Sequence, residues 1–131
     1  MVRRLAILAV LALGVFTRPA AAFFPEPGFY WNTGESGTGY AIELQDNFLF
    51  LATYTYLPNG QAVFYTSGGF LTNDTTYTGV INQFSGGSCI TCTPFTPPGT
   101  PQNVGDVTIV FDTEQSANMT WRGRTFRIER F

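Results

Sequence analysis

From Phe23 onward, apolar side chains recur at every second position in short runs, and no stretch sustains a 3.6-residue repeat. The first run is Phe29-Tyr30-Trp31, behind Pro25-x-Pro27-Gly28. Tyr40, Ile42 and Leu44 then share one face of a second strand. Asp46-Asn47 turns the chain into Phe48–Tyr56, which starts apolar on both faces and ends as an aromatic/threonine alternation. Pro58-Asn59-Gly60 is a strong turn, since Asn and Gly tolerate positive φ. Ala62–Ser67 reads as a fourth strand closed by Gly68-Gly69, and Thr76–Phe84 as a fifth after a turn at Asn73-Asp74. Val107, Ile109 and Phe111 mark the inner face of a sixth strand, and Ala117, Met119 and Trp121 that of a seventh. Arg122-Gly123 makes a tight turn into the eighth, carried by Phe126 and Ile128. Eight short strands with mostly hairpin-length connections predict an all-β fold, a small antiparallel up-and-down barrel. A β-sandwich is the alternative; closure favours the barrel because it removes exposed strand edges.

Residues 1–22 stand outside this pattern. Met1–Arg4 is basic, Leu5–Phe16 is a twelve-residue apolar run, and Ala20-Ala21-Ala22 supplies a small-x-small site. These are the three regions of a secretory signal peptide, whose apolar part forms a helix. A membrane-spanning helix needs roughly 20 apolar residues, so the run is too short for one. Cleavage after Ala22 removes 22 of the 131 residues and leaves a single domain of 109, residues 23–131. With no Cys near that site for a lipid anchor, the expected location is periplasmic or secreted, without stable membrane insertion.

Composition narrows the chemistry. The chain is 44% hydrophobic, 16% aromatic and only 12% charged, which excludes intrinsic disorder. His is absent and every basic residue is Arg. Most general-base, Schiff-base and zinc chemistries therefore lack their usual carriers, and neither a metal nor a cofactor is expected. After cleavage, four Arg face nine Asp and Glu, a formal charge of −5. Such a surface repels phosphate backbones, so nucleic acid is not an expected partner. Arg122, Arg124, Arg127 and Arg130 cluster in the last ten residues, and read as a solvated strand face rather than an anion-binding stripe.

The candidate motifs point mostly to structure. Gly34-Glu35-Ser36-Gly37-Thr38-Gly39 is followed by a strand pattern, not the helix a phosphate loop requires, and Thr38 breaks a nucleophile elbow. It reads as a tight connection, with Glu35 capping the turn by accepting backbone N–H bonds. Residues 85–103 concentrate Gly, Ser, Thr, Pro and both cysteines, and read as a long irregular loop. Cys89 and Cys92 in an exported protein predict a local disulfide, because two further zinc ligands of suitable type are lacking. Closing four residues contributes about 2 kcal/mol at best, enough to pin the loop rather than hold the fold. An outer-membrane barrel is excluded by Thr125, Arg127 and Glu129 on the outward face of the last strand, which cannot meet lipid.

Trp31-Asn32-x-x-Glu35-Ser36-Gly37-x-Gly39-Tyr40 resembles the opening of a group of small exported bacterial proteins with Gly-x-Trp-Trp-Asn-Pro-x-Glu-Ser-Gly-x-Gly. The likeness continues through Tyr56-x-x-x-Gly60-x-x-x-Phe64-Tyr65, Phe84-Ser85-Gly86-Gly87-x-Cys89-x-x-Cys92 and Met119-Thr120-Trp121 to Arg130-Phe131. Tyr30 stands where that group has Trp, and Thr33 where it has Pro. The resemblance implies export and a β fold; the group brings no established activity. A weaker resemblance is to calycin-type barrels, which set a Gly-x-Trp against an Arg from the last strand. Gly28-x-Tyr30 with Arg127 or Arg130 would be the counterpart, and its role would be structural.

Two Trp, six Tyr and thirteen Phe exceed what eight short strands comfortably hide. The expected function is therefore a non-enzymatic β-module that binds a glycan, a small ligand or a protein through aromatics. Tyr30, Trp31, Glu35, Phe64 and Tyr65 are the candidate binding residues, with Tyr54 and Tyr56 beside them. An envelope structural protein or secreted inhibitor acting through the 85–103 loop is the alternative. A hydrolase using Glu35 ranks below both, because it would need a second ionisable group within reach.

Overall fold

The computed structural model describes residues 22–131, so the expected signal peptide lies almost wholly outside the described residues. Eight antiparallel strands close in chain order into an up-and-down barrel. They are β1 (Gly28–Trp31), β2 (Gly39–Gln45), β3 (Phe48–Tyr56), β4 (Ala62–Asn73), β5 (Thr76–Gln83), β6 (Gln102–Thr113), β7 (Ser116–Trp121) and β8 (Arg124–Arg130). Closure comes from Tyr30 pairing with Arg130 and Trp31 with Glu129 across β1 and β8. The barrel, not the sandwich, is the fold.

Because strand side chains alternate in direction, each strand sends every second residue inward. Ile42, Leu49, Leu51, Tyr77, Ile81, Val107, Ile109, Phe111, Met119 and Ile128 fill the interior, all nearly or fully buried. An eight-stranded barrel is just wide enough for such packing, so the interior is a core and not a channel. The outer wall is divided. Phe48, Phe50, Tyr54, Tyr56, Phe64 and Phe70 stand exposed on β3 and β4, whereas β7 and β8 present Asn118, Thr120, Thr125, Arg127 and Glu129.

Two boundaries differ from the sequence reading. β4 does not stop before Gly68-Gly69 but runs to Asn73, and the glycines are where large rings cross it. The Phe48 ring lies over Gly68, and Tyr77 lies against Gly69. Gly79 likewise makes room for the Tyr77 phenol, whose oxygen fills the place an added Cβ would take. That phenol meets the Ser67 hydroxyl at 2.7 Å inside the core. The irregular loop is shorter than expected because β6 already begins at Gln102. Within it Cys89 and Cys92 are disulfide-bonded, and backbone bonds from Ser88 to Thr96 and from Gly99 to Ser85 tie its two limbs together.

The barrel has two unlike ends. At the end carrying the 23–27 segment and the β6–β7 turn, Tyr30 is buried and acts as a plug. Its phenol donates to Glu26 O at 2.6 Å, with Glu114 O at 3.2 Å, and its ring meets Phe111 edge-on. Burial pushes this phenol up to about 12, against the opposing pull of Arg130 and with some help from Glu26. Arg130 packs on Gly28, donates to Pro27 O and pairs with Glu26 at 3.0 Å. The last-strand Arg foreseen beside Gly28 is thus Arg130, while Arg127 turns outward to Asp112 and Glu129.

Arg127 beside Asp112, aided by the Ser116 hydroxyl, holds the Asp112 carboxyl below its usual range. A depressed folded-state value stabilises the fold above the unfolded value near 4, and that contribution is lost as pH falls through the folded one. Both partners are more than a third exposed, so screening keeps the effect small. Asp112→Asn is expected to lower the urea midpoint slightly at pH 7, with the difference from wild type vanishing near pH ~2; urea titrations at both pH values check this.

Candidate functional site

At the opposite end converge the 32–38 connection, the β3–β4 turn, the 84–101 loop and the Arg122-Gly123 turn. Tyr40, Thr53 and Tyr65 are consecutive register partners on β2, β3 and β4, and all three are buried inside the barrel. Trp121 faces Tyr65 edge-on at 5.0 Å, and Phe126 faces Tyr40 at 5.7 Å. Beside Tyr65 and Trp121 lies a cleft of about 290 Å³ lined by Thr55, Tyr56, Leu57, Pro58, Tyr65, Trp121 and Arg122.

Two buried polar atoms here have no hydrogen-bond partner, Thr53 Oγ1 and Trp121 Nε1. Thr53 is 1% exposed and lies two residues deeper than Thr55 on the same inward face. An unpaired buried hydroxyl costs about 1–3 kcal/mol, a cost usually tolerated only where a water or ligand can meet it. Arg122 occupies a left-handed turn position with φ 50°, donates through Nε to Val104 O at 3.1 Å, and sets its guanidinium carbon 5.3 Å from the Trp121 ring centre.

Glu35 sits on the rim but does not cap its turn as expected. Asn32 does that, accepting from Gly34 N through Oδ1 and from Glu35 N through its carbonyl. The shorter Asn side chain reaches back to a backbone N–H two residues on, the common local motif for this residue type. Glu35 instead pairs with Arg124, which also stacks over Phe126 at 5.1 Å. The nearby Tyr40 phenol is raised, first by burial and then by the Glu35 charge, with Thr38 and Arg124 opposing. The charged partner of Glu35 here is the Arg124 guanidinium. Among the described residues no group of three metal-ligating side chains occurs.

The five residues nominated from sequence do not form one cluster. Tyr30 plugs the far end, Trp31 lies on the outer wall against Phe131, Glu35 is on the rim, and Tyr65 lies inside the Trp121 end. Phe64, its neighbour in sequence, points outward and is 49% exposed. There it forms the shared wall of two shallow grooves. One is lined by Gly37, Tyr54, Tyr56 and Val63, the other by Phe84, Ser88, Phe95 and Pro98 of the disulfide-tied loop. Trp121 and Arg122 were legible only as core and turn. The signal that could have found them is an Arg in a two-residue hairpin turn directly after an inward Trp.

The chain matches no family model, no curated protein and no solved structure.

Thr53→Val keeps the side-chain shape and removes the unpaired hydroxyl. It is expected to raise unfolding stability by about 1 kcal/mol, read by urea denaturation. A loss of stability would mean that the hydroxyl has a partner in solution.

Proposed function

We propose that this protein is a non-enzymatic binding module, exported to the periplasm or medium, that takes a small ligand at the Trp121 end of its barrel. The observation that carries this reading is the cleft lined by Thr55, Tyr65, Trp121 and Arg122 at this end of the barrel. Rings offer flat apolar contact, while Thr55, Tyr56 and Arg122 supply the few polar groups that orient a ligand. At about 290 Å³ the cleft is at the small end of the ligand-pocket range, sized for one or two rings rather than a long chain. Export rests on the N-terminal pattern of residues 1–22, on the Cys89–Cys92 disulfide, and on the resemblance to small exported bacterial proteins. No helix among the described residues is long and apolar enough to cross a membrane.

A second reading concerns the outer grooves that meet at Phe64. Their lining carries aromatic rings and hydroxyls but no charged side chain, which suits stacking by a neutral glycan. The same loop residues would be the contact in an inhibitor.

The two tryptophans give a direct test of the first reading, since each indole N–H yields one resonance. Titration with 2-naphthamide is expected to shift the Trp121 signal saturably and leave that of Trp31 in place. Tyr56→Ser, at a position 54% exposed in the fold, should weaken the titration several-fold without unfolding. No saturable shift up to the solubility limit, or a shift confined to Trp31, contradicts the reading.

A further inference from the structure

We infer that the ligand of this cleft is an organic anion, a ring bearing a carboxylate that is bound by Arg122; this rests on the reading of the Trp121 end as a small-molecule site. The argument starts from the pairing of the arginines. Arg124 is held by Glu35, Arg127 by Asp112 and Glu129, and Arg130 by Glu26. Among the described residues Arg122 is the arginine with no carboxylate within ion-pair distance, and it is also the one that lines the cleft.

Its guanidinium is already placed. Nε is committed to Val104 O, the stem follows a left-handed turn completed by Gly123 at φ 75°, and the Trp121 face supports the charge from one side. The bond through Nε leaves the terminal amino groups, which are donors only, to be satisfied by water or an incoming acceptor. A fixed guanidinium recognises a carboxylate by two parallel bonds and loses little rotamer freedom in doing so. The adjoining walls are Trp121, Tyr65 and Pro58, which suit the flat apolar body of such an anion. Glu35 on this rim is neutralised by Arg124, and Asp106, next to Val107 and Gly105 beside Trp121, is not within ion-pair distance of Arg122. Attraction toward anions at this end is thus local, in a chain whose overall formal charge is negative.

The test is a matched pair of probes, 2-naphthoate and 2-naphthamide, which share shape and differ in charge, followed at the Trp121 indole N–H. The carboxylate is expected to bind about tenfold tighter at low salt, with the advantage shrinking as salt rises. Arg122→Met keeps an apolar stem over Trp121 and should abolish the difference; Arg122→Lys should restore part of it. Arg127→Gln removes the same charge from the outer wall and should leave it intact. Equal binding of both probes, tighter binding of the amide, or a carboxylate preference that survives in Arg122→Met overturns the anion inference while the small-molecule reading stands. Binding of neither probe overturns both. Thermal melts of each variant separate a lost site from a lost fold.

Discussion

The closure of β1 onto β8 is the constraint on which the rest of the molecule depends. Without it β1 and β8 would be open edges, and the alternation along each strand would have no inside to point to. The seam is short, with two register pairs at Tyr30–Arg130 and Trp31–Glu129, so backbone pairing alone is a thin hold. Side chains reinforce it. Tyr30 reaches across the barrel end to the Glu26 and Glu114 carbonyls, and Arg130 clamps Gly28, Pro27 and Glu26 from the opposite strand. A bulky residue at Gly28 would meet Arg130, which explains a glycine held at φ 144° there.

The two ends are filled differently. Tyr30, Phe111 and the buried Pro25 fill the first end, where the buried Ser116 hydroxyl meets Thr113 and Asp112. At the Trp121 end, Tyr65 meets Trp121 and Tyr40 meets Phe126, and the buried Thr53 hydroxyl goes without a partner. A lumen this narrow accommodates side chains along most of its length, and the candidate cleft lies at its end rather than within it.

Much of the fold was legible because period-2 alternation and turn chemistry agree along most of the chain. Val107, Ile109 and Phe111, or Ala117, Met119 and Trp121, can be sorted to the inside by parity alone. Gly68-Gly69 misled because two glycines normally end a strand, and their covering rings, Phe48 and Tyr77, come from neighbouring strands that sequence cannot place. The candidate site was legible only in part. Aromatic excess pointed to Tyr65 and Phe64 together, yet parity sends one into the barrel and the other to the wall. Arg122 was hidden for a different reason. The four arginines of the described residues look alike in the sequence, and only the folded register shows that three find carboxylates and one does not.

Amide hydrogen exchange at Phe131 tests the closure most directly. Its ring is 87% exposed, yet its N–H donates to Phe29 O at 2.8 Å across the β1–β8 seam. The closed barrel predicts that this amide is protected well above the random-coil rate, and approaches the protection of the core strand amides around Leu51. Exchange of the Phe131 amide at the random-coil rate, in a protein whose β3 amides and the Arg130 amide, which donates to Gln115 O, remain protected, would mean an open seam and would contradict the account.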